Sequence, residues 1–279
     1  MKRLDVSCSR DKVKGSVQGA MPKISVVIIT KNEEPRIRKA LASVRSFADE
    51  IVVVDDMSTD CTREIAAREF QAKVFQRPLE KDFAAQRNFG AQQASSAWIF
   101  PMDADEFISD AVGARIREAI GAAGDTAAFE LRRLNYFVGS PIRHAGAYGY
   151  YVRLYRKDCV AYHGPVHEQL EVRGVVSRID GDICHYPFET LAPFFDKAVR
   201  YAEQEAELYC QARPHVSAKE IRYHLTWRPL KTFWKIYVRK KGYRDGLPGL
   251  VWCVGNVIGP LIKWMKIWEK AERSGLLAP

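Results

Sequence analysis

The 279-residue chain has no CxxC pair among its six cysteines (Cys8, Cys61, Cys159, Cys184, Cys210, Cys253). Their scatter offers neither a disulfide framework nor a zinc site and fits reduced thiols in a cytosolic compartment. No apolar core occurs in the first twenty residues, MKRLDVSCSRDKVKGSVQGA, which excludes a secretory signal; a disordered tail over 1–22 is expected. There is no internal repeat and no low-complexity tract. No GxGxxG turn follows the first strand-like run and no GxxxxGK[ST] appears, so the glycine-rich phosphate cradles are missing. A diphosphate would then need a divalent cation, held by one or two carboxylates together with its own oxygens. The longest apolar-leaning run, 247–262, spans sixteen residues and contains Pro248, Asn256 and Pro260, short of the ~20 a spanning helix needs.

Net charge is also missing from most of the chain. Residues 1–221 hold 31 Lys/Arg and 31 Asp/Glu, whereas 222–279 hold twelve and three and so carry the whole net charge of +9. A neutral body with a basic C-terminal quarter implies an anionic surface nearby.

The present elements alternate. KISVVIIT (23–30), a continuous β-branched run, and EIVVVDD (50–56) read as strands buried on both faces, AKVFQ (72–76) as a short third strand and AWIFPMDADEF (97–107) as a fourth with its exit loop. Between the first two, Ile37, Leu41, Val44 and Phe47 are spaced as on a helix. Ser58, Thr59 or Asp60 can cap a second helix through Ile65, and 83–95 forms a third. This alternation specifies βαβ units and a parallel sheet, whose ligands bind beyond the carboxyl ends of the strands. Three polar exits converge there: Thr30 to Glu34, Asp55 with Asp56, and Asp103 to Glu106. Three carboxylates within four residues raise one another's pKa; a cation or a polar network between them would relieve that, and a solvated loop or a helix N-terminus is the alternative reading.

Beyond residue 110, TAAFELRRLNYFVG and YYVRLYRKDCVAY read as antiparallel strands and 191–212 as a long amphipathic helix. His163 and His167 are four apart with Glu168 adjacent, but Gly164-Pro165 forbids the helix that a zinc motif needs. A loop projecting Glu168 fits better, and His163 and His144 read as hydrogen-bonded structural imidazoles.

The blocks ISVVIITKNEE, IVVVDDMSTDCT, AAQRNFGAQQA and FPMDADEFIS resemble, in order and spacing, the family 2 glycosyltransferases of GT-A fold. The later GPVHEQLEVRG, GDICHYPF and YVRKKGYRDGLPGL are similar to the bacterial lipopolysaccharide and lipooligosaccharide core β-1,4-glucosyltransferases, over roughly 23–270. The resemblance implies an α/β, Rossmann-like, mostly parallel sheet flanked by helices as the catalytic domain over 23–190. A basic, helical, Trp-rich extension over 191–279 follows it. It implies an inverting, metal-dependent hexosyl transfer, with UDP-glucose the expected nucleotide-sugar donor and a lipid-linked saccharide the acceptor. Thr30, Asn32 and Glu33 would line the nucleoside pocket and Asp56 would accept from the base. Arg87 would face the base or diphosphate, and Asp103 the ribose or sugar. Asp105 would hold Mn²⁺ or Mg²⁺ as the second acid of a DxD motif, and His185 would join it. Glu168 is the expected catalytic base, the one carboxylate not spent on the metal. Lys31 departs from the pattern, since many relatives carry an aromatic ring there.

Five of the six tryptophans (Trp227, Trp234, Trp252, Trp264, Trp268) lie in the basic quarter. We expect an anchor lying on an anionic leaflet, peripheral to the cytoplasmic face of the inner membrane. A helical pair packed on the catalytic domain or across a dimer is the alternative. Nucleic acid is set aside, because no RNP-like or helix-turn-helix signature accompanies the basic residues. Heptose, galactose or an N-acetylhexosamine stay open as donor sugars. A nucleotidyltransferase would need the missing phosphate loop. A non-catalytic nucleotide-sugar or membrane-binding module would gain nothing from carboxylates at 103, 105 and 168.

Overall fold

The computed structural model describes residues 21–80, 82–164 and 169–278; the expected tail lies almost wholly outside them. The first half alternates as expected: β1 Ile24–Thr30, α1 Glu34–Val44, β2 Glu50–Asp55, α2 Thr62–Phe70, β3 Lys73–Gln76, α3 Phe83–Gln93 and β4 Trp98–Asp103. β1 pairs in parallel with β2 on one side and β4 on the other, and β3 extends β2. Ile24, Val26 and Ile28 of β1 enter one core cluster with Ile37, Leu41 and Phe47, while Val27 enters another with Val52, Val54 and Ile99 on the opposite face. Burial on both faces is why these strands are continuous β-branched runs rather than alternating ones. Gly90 lets α3 lie close on the sheet, since a Cβ there would collide with Val27 and stand 3.0 Å from Val54.

The second half folds back on the same sheet. β5 (Glu106–Phe107), α4 (Asp110–Gly121), β6 (Thr126–Phe137), β7 (Ser140–Ile142), β8 (Gly149–Arg156), β9 (Val160–His163), β10 (Gln169–Val172) and β11 (Val175–Phe188) follow. The large sheet has nine strands in the order β3-β2-β1-β4-β8-β6-β11-β5, with β7 paired to β6. β8 is antiparallel to β4 and to β6, while β11 is parallel to β6, so the sheet is mixed. α4 went unread in the sequence although Ser109 caps it, accepting from Val112 N–H, and Val112, Ile116 and Ile120 line its buried side. The second helix also starts differently. Its N-cap position is Cys61, and Asp60, one residue earlier, accepts the Thr62 N–H.

The last quarter is helical: α5 (Leu191–Gln211), α6 (Ala218–Leu225), α7 (Trp227–Trp234), a π turn at Lys235–Arg239, a 3-10 turn at Gly242–Asp245 and α8 (Gly246–Arg273). α8 runs unbroken through all three residues expected to interrupt it. Pro248 falls in its first turn, where no N–H partner is needed, and exposed Pro260 costs one bond on a face where solvent can reach the freed carbonyl. With its preceding turn, Gly242–Arg273 is long and apolar enough by composition to cross a membrane, one 18-residue stretch of it having a mean hydropathy of 1.3. In the fold it lies along α5, joined by Lys263–Glu205, Lys266–Glu203 and Lys270–Glu203 pairs. Phe194 of α5 fills the space that a side chain at Gly255 would take.

Candidate functional site

The carboxyl ends of the central strands are level. Thr30 stands opposite Asp55 and Ile29 opposite Asp103, so the three polar exits meet at one edge. The first two are sewn together by their own side chains. Ser58 Oγ accepts the Asn32 N–H at 2.8 Å, Thr62 Oγ1 the Glu33 N–H at 2.8 Å, and Asn32 Oδ1 the Thr59 N–H at 2.8 Å. Asn32, at φ 51°, therefore spends its amide on the loop. Glu33 pairs with Arg36 at 2.7 Å, and burial pushes its carboxyl up despite that partner, with Asp105 adding to the rise. Asp56 accepts Leu79 N–H at 2.9 Å through Oδ1 and pairs with Lys31 Nζ at 2.8 Å through Oδ2. Thr30 Oγ1 is buried and has no protein partner.

The third exit is the electrostatic centre. Asp103, the last residue of β4, is bound by Arg87 Nη2 at 2.8 Å; Arg87 sits on α3 with 11% of its side chain exposed. Its own N–H donates to Glu106 Oε2 at 3.0 Å. Glu106 is fully buried and receives both arms of Arg153, at 2.7 and 3.2 Å. Burial raises both acids. At Asp103 the Arg87 and Arg153 charges overcome it and hold the carboxyl well below its usual range. At Glu106 burial prevails, reinforced by Asp103 and opposed chiefly by Arg153. One acid is thus fixed as an anion facing the crevice, and the other anchors the loop from beneath.

Asp105 turns the other way. Its carbonyl accepts Tyr186 N–H at 2.9 Å, and its Oδ2 lies 3.4 Å from Nε2 of His185. The imidazole is held from behind: Nδ1 donates to Asn135 Oδ1 at 2.7 Å, and Asn135 Nδ2 donates to the Ala147 carbonyl at 2.6 Å. Nε2 is then the ring nitrogen turned toward Asp105, and it offers a lone pair whenever it carries no proton. Two acceptors facing each other at that distance are repulsive unless a proton or cation lies between them. Ligands at right angles on an ion bonded at about 2.1 Å stand about 3.0 Å apart, so the donor set fits one divalent cation with little movement. Among the described residues no cluster of three His, Cys, Asp or Glu side chains forms at any point. A two-residue site fits an ion whose remaining ligands are water and phosphate.

Of the expected residues, Arg87 with Asp103, Asp105 with His185, and Glu33 come together here, and Asp56 faces the same edge with Lys31. Glu168 lies outside the described residues. His144 is hydrogen-bonded to Asp245, as read from sequence, and His163 to Glu171. Arg153, Asn135 and Arg133 were missed. All three are polar residues at inward positions of otherwise apolar strands, LRRLN and YVRLY, which is the one signal that marks them.

The sequence model for glycosyl transferase family 2 matches residues 25–165. An uncharacterized glycosyltransferase of Rickettsia typhi is 27% identical over 267 residues, covering 91% of this chain and 89% of its own. The lipopolysaccharide core biosynthesis glycosyltransferase LpsC of Rhizobium meliloti is 26% identical over 265 residues, 88% and 92%. Among solved structures, S. aureus TarS 1–349 in complex with UDP-GlcNAc aligns at a TM-score of 0.44 and 15% identity, covering 91% and 92%. Mycobacterium tuberculosis glucosyl-3-phosphoglycerate synthase with Mn²⁺, UDP and glucosyl-3-phosphoglycerate aligns at 0.42 and 14%, covering 59% and 72%.

Proposed function

Because the chain belongs to glycosyl transferase family 2 and is a glycosyltransferase, we propose that its acidic edge takes a nucleotide-sugar and a divalent cation. From there it moves a hexose, glucose from UDP-glucose, to a lipid-linked saccharide of the lipopolysaccharide core. The observation that carries this is the facing pair Asp105–His185, 3.4 Å apart, beside an Asp103 held ionised by Arg87. The full-length similarity to LpsC supports the acceptor class.

Asp105 and His185 would hold Mn²⁺ or Mg²⁺, which when bound takes up charge on the departing diphosphate. The chain's own residues do the rest. Asp103, fixed by Arg87, accepts from sugar or ribose hydroxyls. Asp56 keeps a second lone pair on each oxygen for the base N–H, with Lys31 closing over it. Thr30, whose hydroxyl has no protein partner, supplies a hydrogen bond at the nucleoside end. Glu168 removes the acceptor proton as the hydroxyl attacks from the face opposite the leaving group, giving inversion. A positioned base contributes about 10²–10⁴-fold.

The C-terminal quarter would meet the acceptor at an anionic leaflet, on the cytoplasmic face of the inner membrane. Trp227, Leu230, Trp234 and Val238 are exposed along one side of α7 and the π turn. Leu247, Val254, Met265 and Trp268 are exposed along α8. Lys231, Lys235 and Arg239 flank the first stripe, so apolar surface and positive charge point to one partner.

The test is donor hydrolysis across a panel of nucleotide-sugars with and without Mn²⁺ or Mg²⁺, paired with melting. Slow, metal-dependent release of one nucleotide names the donor. UDP with Mn²⁺ raises Tm in the wild type and not in Asp105→Asn. Equal, metal-independent protection of that variant would remove the cation from the site. Glu168→Gln keeps donor binding and loses at least a hundredfold in transfer; survival of transfer assigns the base elsewhere.

A further inference from the structure

We propose that the C-terminal helical unit positions the acidic site, through a clamp that Asp245 places on the turn 144–147. The inference rests on the reading of Asp105 and His185 as the cation's holders. Asp245 occupies the N-cap position of α8 but caps nothing there. Its carboxylate instead takes both groups of one residue across the molecule: the His144 N–H on Oδ2 at 2.8 Å and the His144 ring Nδ1 on Oδ1 at 2.7 Å. Only 5% of the Asp245 side chain is exposed. Five residues upstream, the Lys240 carbonyl accepts the Ala145 N–H at 2.9 Å, and the Lys240 side chain lies across Gly146, where a Cβ would stand 2.8 Å from its Cδ.

The clamped turn is a strained one. Ala145 has φ 57° and Gly146 φ 78°, the first a conformation that a residue with a Cβ adopts only where its surroundings over-determine it. The His144 carbonyl closes the turn by accepting the Ala147 N–H at 3.0 Å. Within the turn both side restraints, Asp245 and Lys240, come from the C-terminal unit.

What the turn delivers is the Ala147 carbonyl. It can only accept, so Asn135 must offer it Nδ2, and Oδ1 then faces His185. An amide oxygen can only accept, so His185 Nδ1 must donate, which leaves Nε2 as the ring nitrogen turned toward Asp105 and toward the ion. Each step is forced by the donor or acceptor character of the one before. Released from Asp245, the turn leaves the Asn135 amide free to flip, and a flipped amide reverses the His185 tautomer, putting a proton where the cation would bind. Asp245 and His144 are thus positioning residues, acting through Asn135, and nothing in the fold of α8 itself requires the Asp245 carboxylate.

The experiment uses the full chain, comparing wild type with Asp245→Ala and the milder Asp245→Asn, which keeps one acceptor for the His144 N–H. Ring-nitrogen NMR of histidine-labelled, metal-free protein reads the His185 tautomer, and Mn²⁺ titration by EPR reads the ion. Wherever the ring is neutral, the wild type should keep its proton on Nδ1. Asp245→Ala should show mixed tautomers and bind Mn²⁺ about tenfold more weakly, within the 10–100-fold that outer partners of a ligating histidine command; Asp245→Asn should fall between. If Asp245→Ala does not fold, the asparagine variant carries the test. Unchanged tautomer and unchanged Mn²⁺ affinity in a folded variant overturn the clamp and leave the site reading intact. If the wild type itself binds no Mn²⁺, that reading fails, and the tautomer alone then decides for or against the clamp.

Discussion

Replacing Arg153 with methionine removes the principal partner of a carboxylate with no solvent exposure, and the cost can be bounded from the structure. Glu106 is 0% exposed and Arg153 7%. Stripping one member from a buried ion pair typically costs about 3–5 kcal/mol. Glu106 has an escape, however, because it can take up a proton. From an ordinary carboxyl value of 4.5 to pH 7, that costs about 1.36 kcal/mol per pH unit, about 3.4 kcal/mol in all. This is a ceiling on the charge penalty, and the Arg133 Nη1 only 3.9 Å away relieves part of it, so we expect about 3 kcal/mol at pH 7. At pH 5 the ceiling drops to about 0.7 kcal/mol. The sign is that of a raised carboxyl: the folded state binds the proton more tightly, so stability falls as pH rises above 4.5, and more steeply in the variant. Glu106→Leu/Arg153→Met removes both charges and leaves the Asp103 N–H without its acceptor. It should cost about 1–2 kcal/mol with no such pH dependence. Urea unfolding at pH 5 and pH 7 measures all three chains. A single-variant penalty that is flat between the two pH values, or a double variant costing more than the single at both, would refute the buried-pair reasoning.

Glu50 gives a prediction of opposite sign. Burial works against its charge, yet Lys73, the Ser25 hydroxyl and the Ser95 N–H hold it at about 2 against an ordinary 4.5. Its contribution is therefore present above pH 4.5 and lost as pH falls toward 2, so Glu50→Gln should cost about 2 kcal/mol at pH 7 and progressively less in acid, by urea unfolding. Gly90→Ala gains about 1 kcal/mol of helix propensity but drives a methyl into Val27 and Val54. Since overpacking costs about 1–3 kcal/mol, a net loss near 1 kcal/mol is expected, and a net gain would show that α3 can lift off the sheet. Trp227→Ala/Trp234→Ala, both exposed, should leave Tm unchanged and cut sedimentation with phosphatidylglycerol vesicles at least tenfold. Equal binding of the wild type to neutral vesicles would argue against charge selection, and a concentration-dependent dimer by light scattering would assign the stripe to a second copy instead.

How much of this was legible before folding follows from the range of the interactions. Continuous β-branched runs and helical spacing announce a parallel sheet because burial on both faces is written into consecutive residues. The position of Asp103 and Asp105 at a strand end is equally local. α4 is local as well, with its Ser109 cap and its Val112, Ile116, Ile120 spacing, although it went unread. None of Ser58, Thr59 and Asp60 is the N-cap of α2; the helix begins a residue later, after Cys61, with Asp60 accepting the Thr62 N–H from one position outside. Lys31 stood out as a departure, but that it pairs with Asp56, 25 residues away, depends on two adjacent strands ending level.

By itself the sequence determined the strand–helix alternation, the acidic edge, the family and the concentration of charge and tryptophan in the last quarter, all properties of neighbouring residues or of periodic spacing. Only the tertiary structure decided which carboxylate is which. Asp103 is held ionised by Arg87 from α3, Glu106 is sunk under Arg153 from β8, and Asp105 is turned to meet a histidine 80 residues later. Ionisation and tautomer depend on burial and on the nearest charge in space, and a linear pattern contains neither.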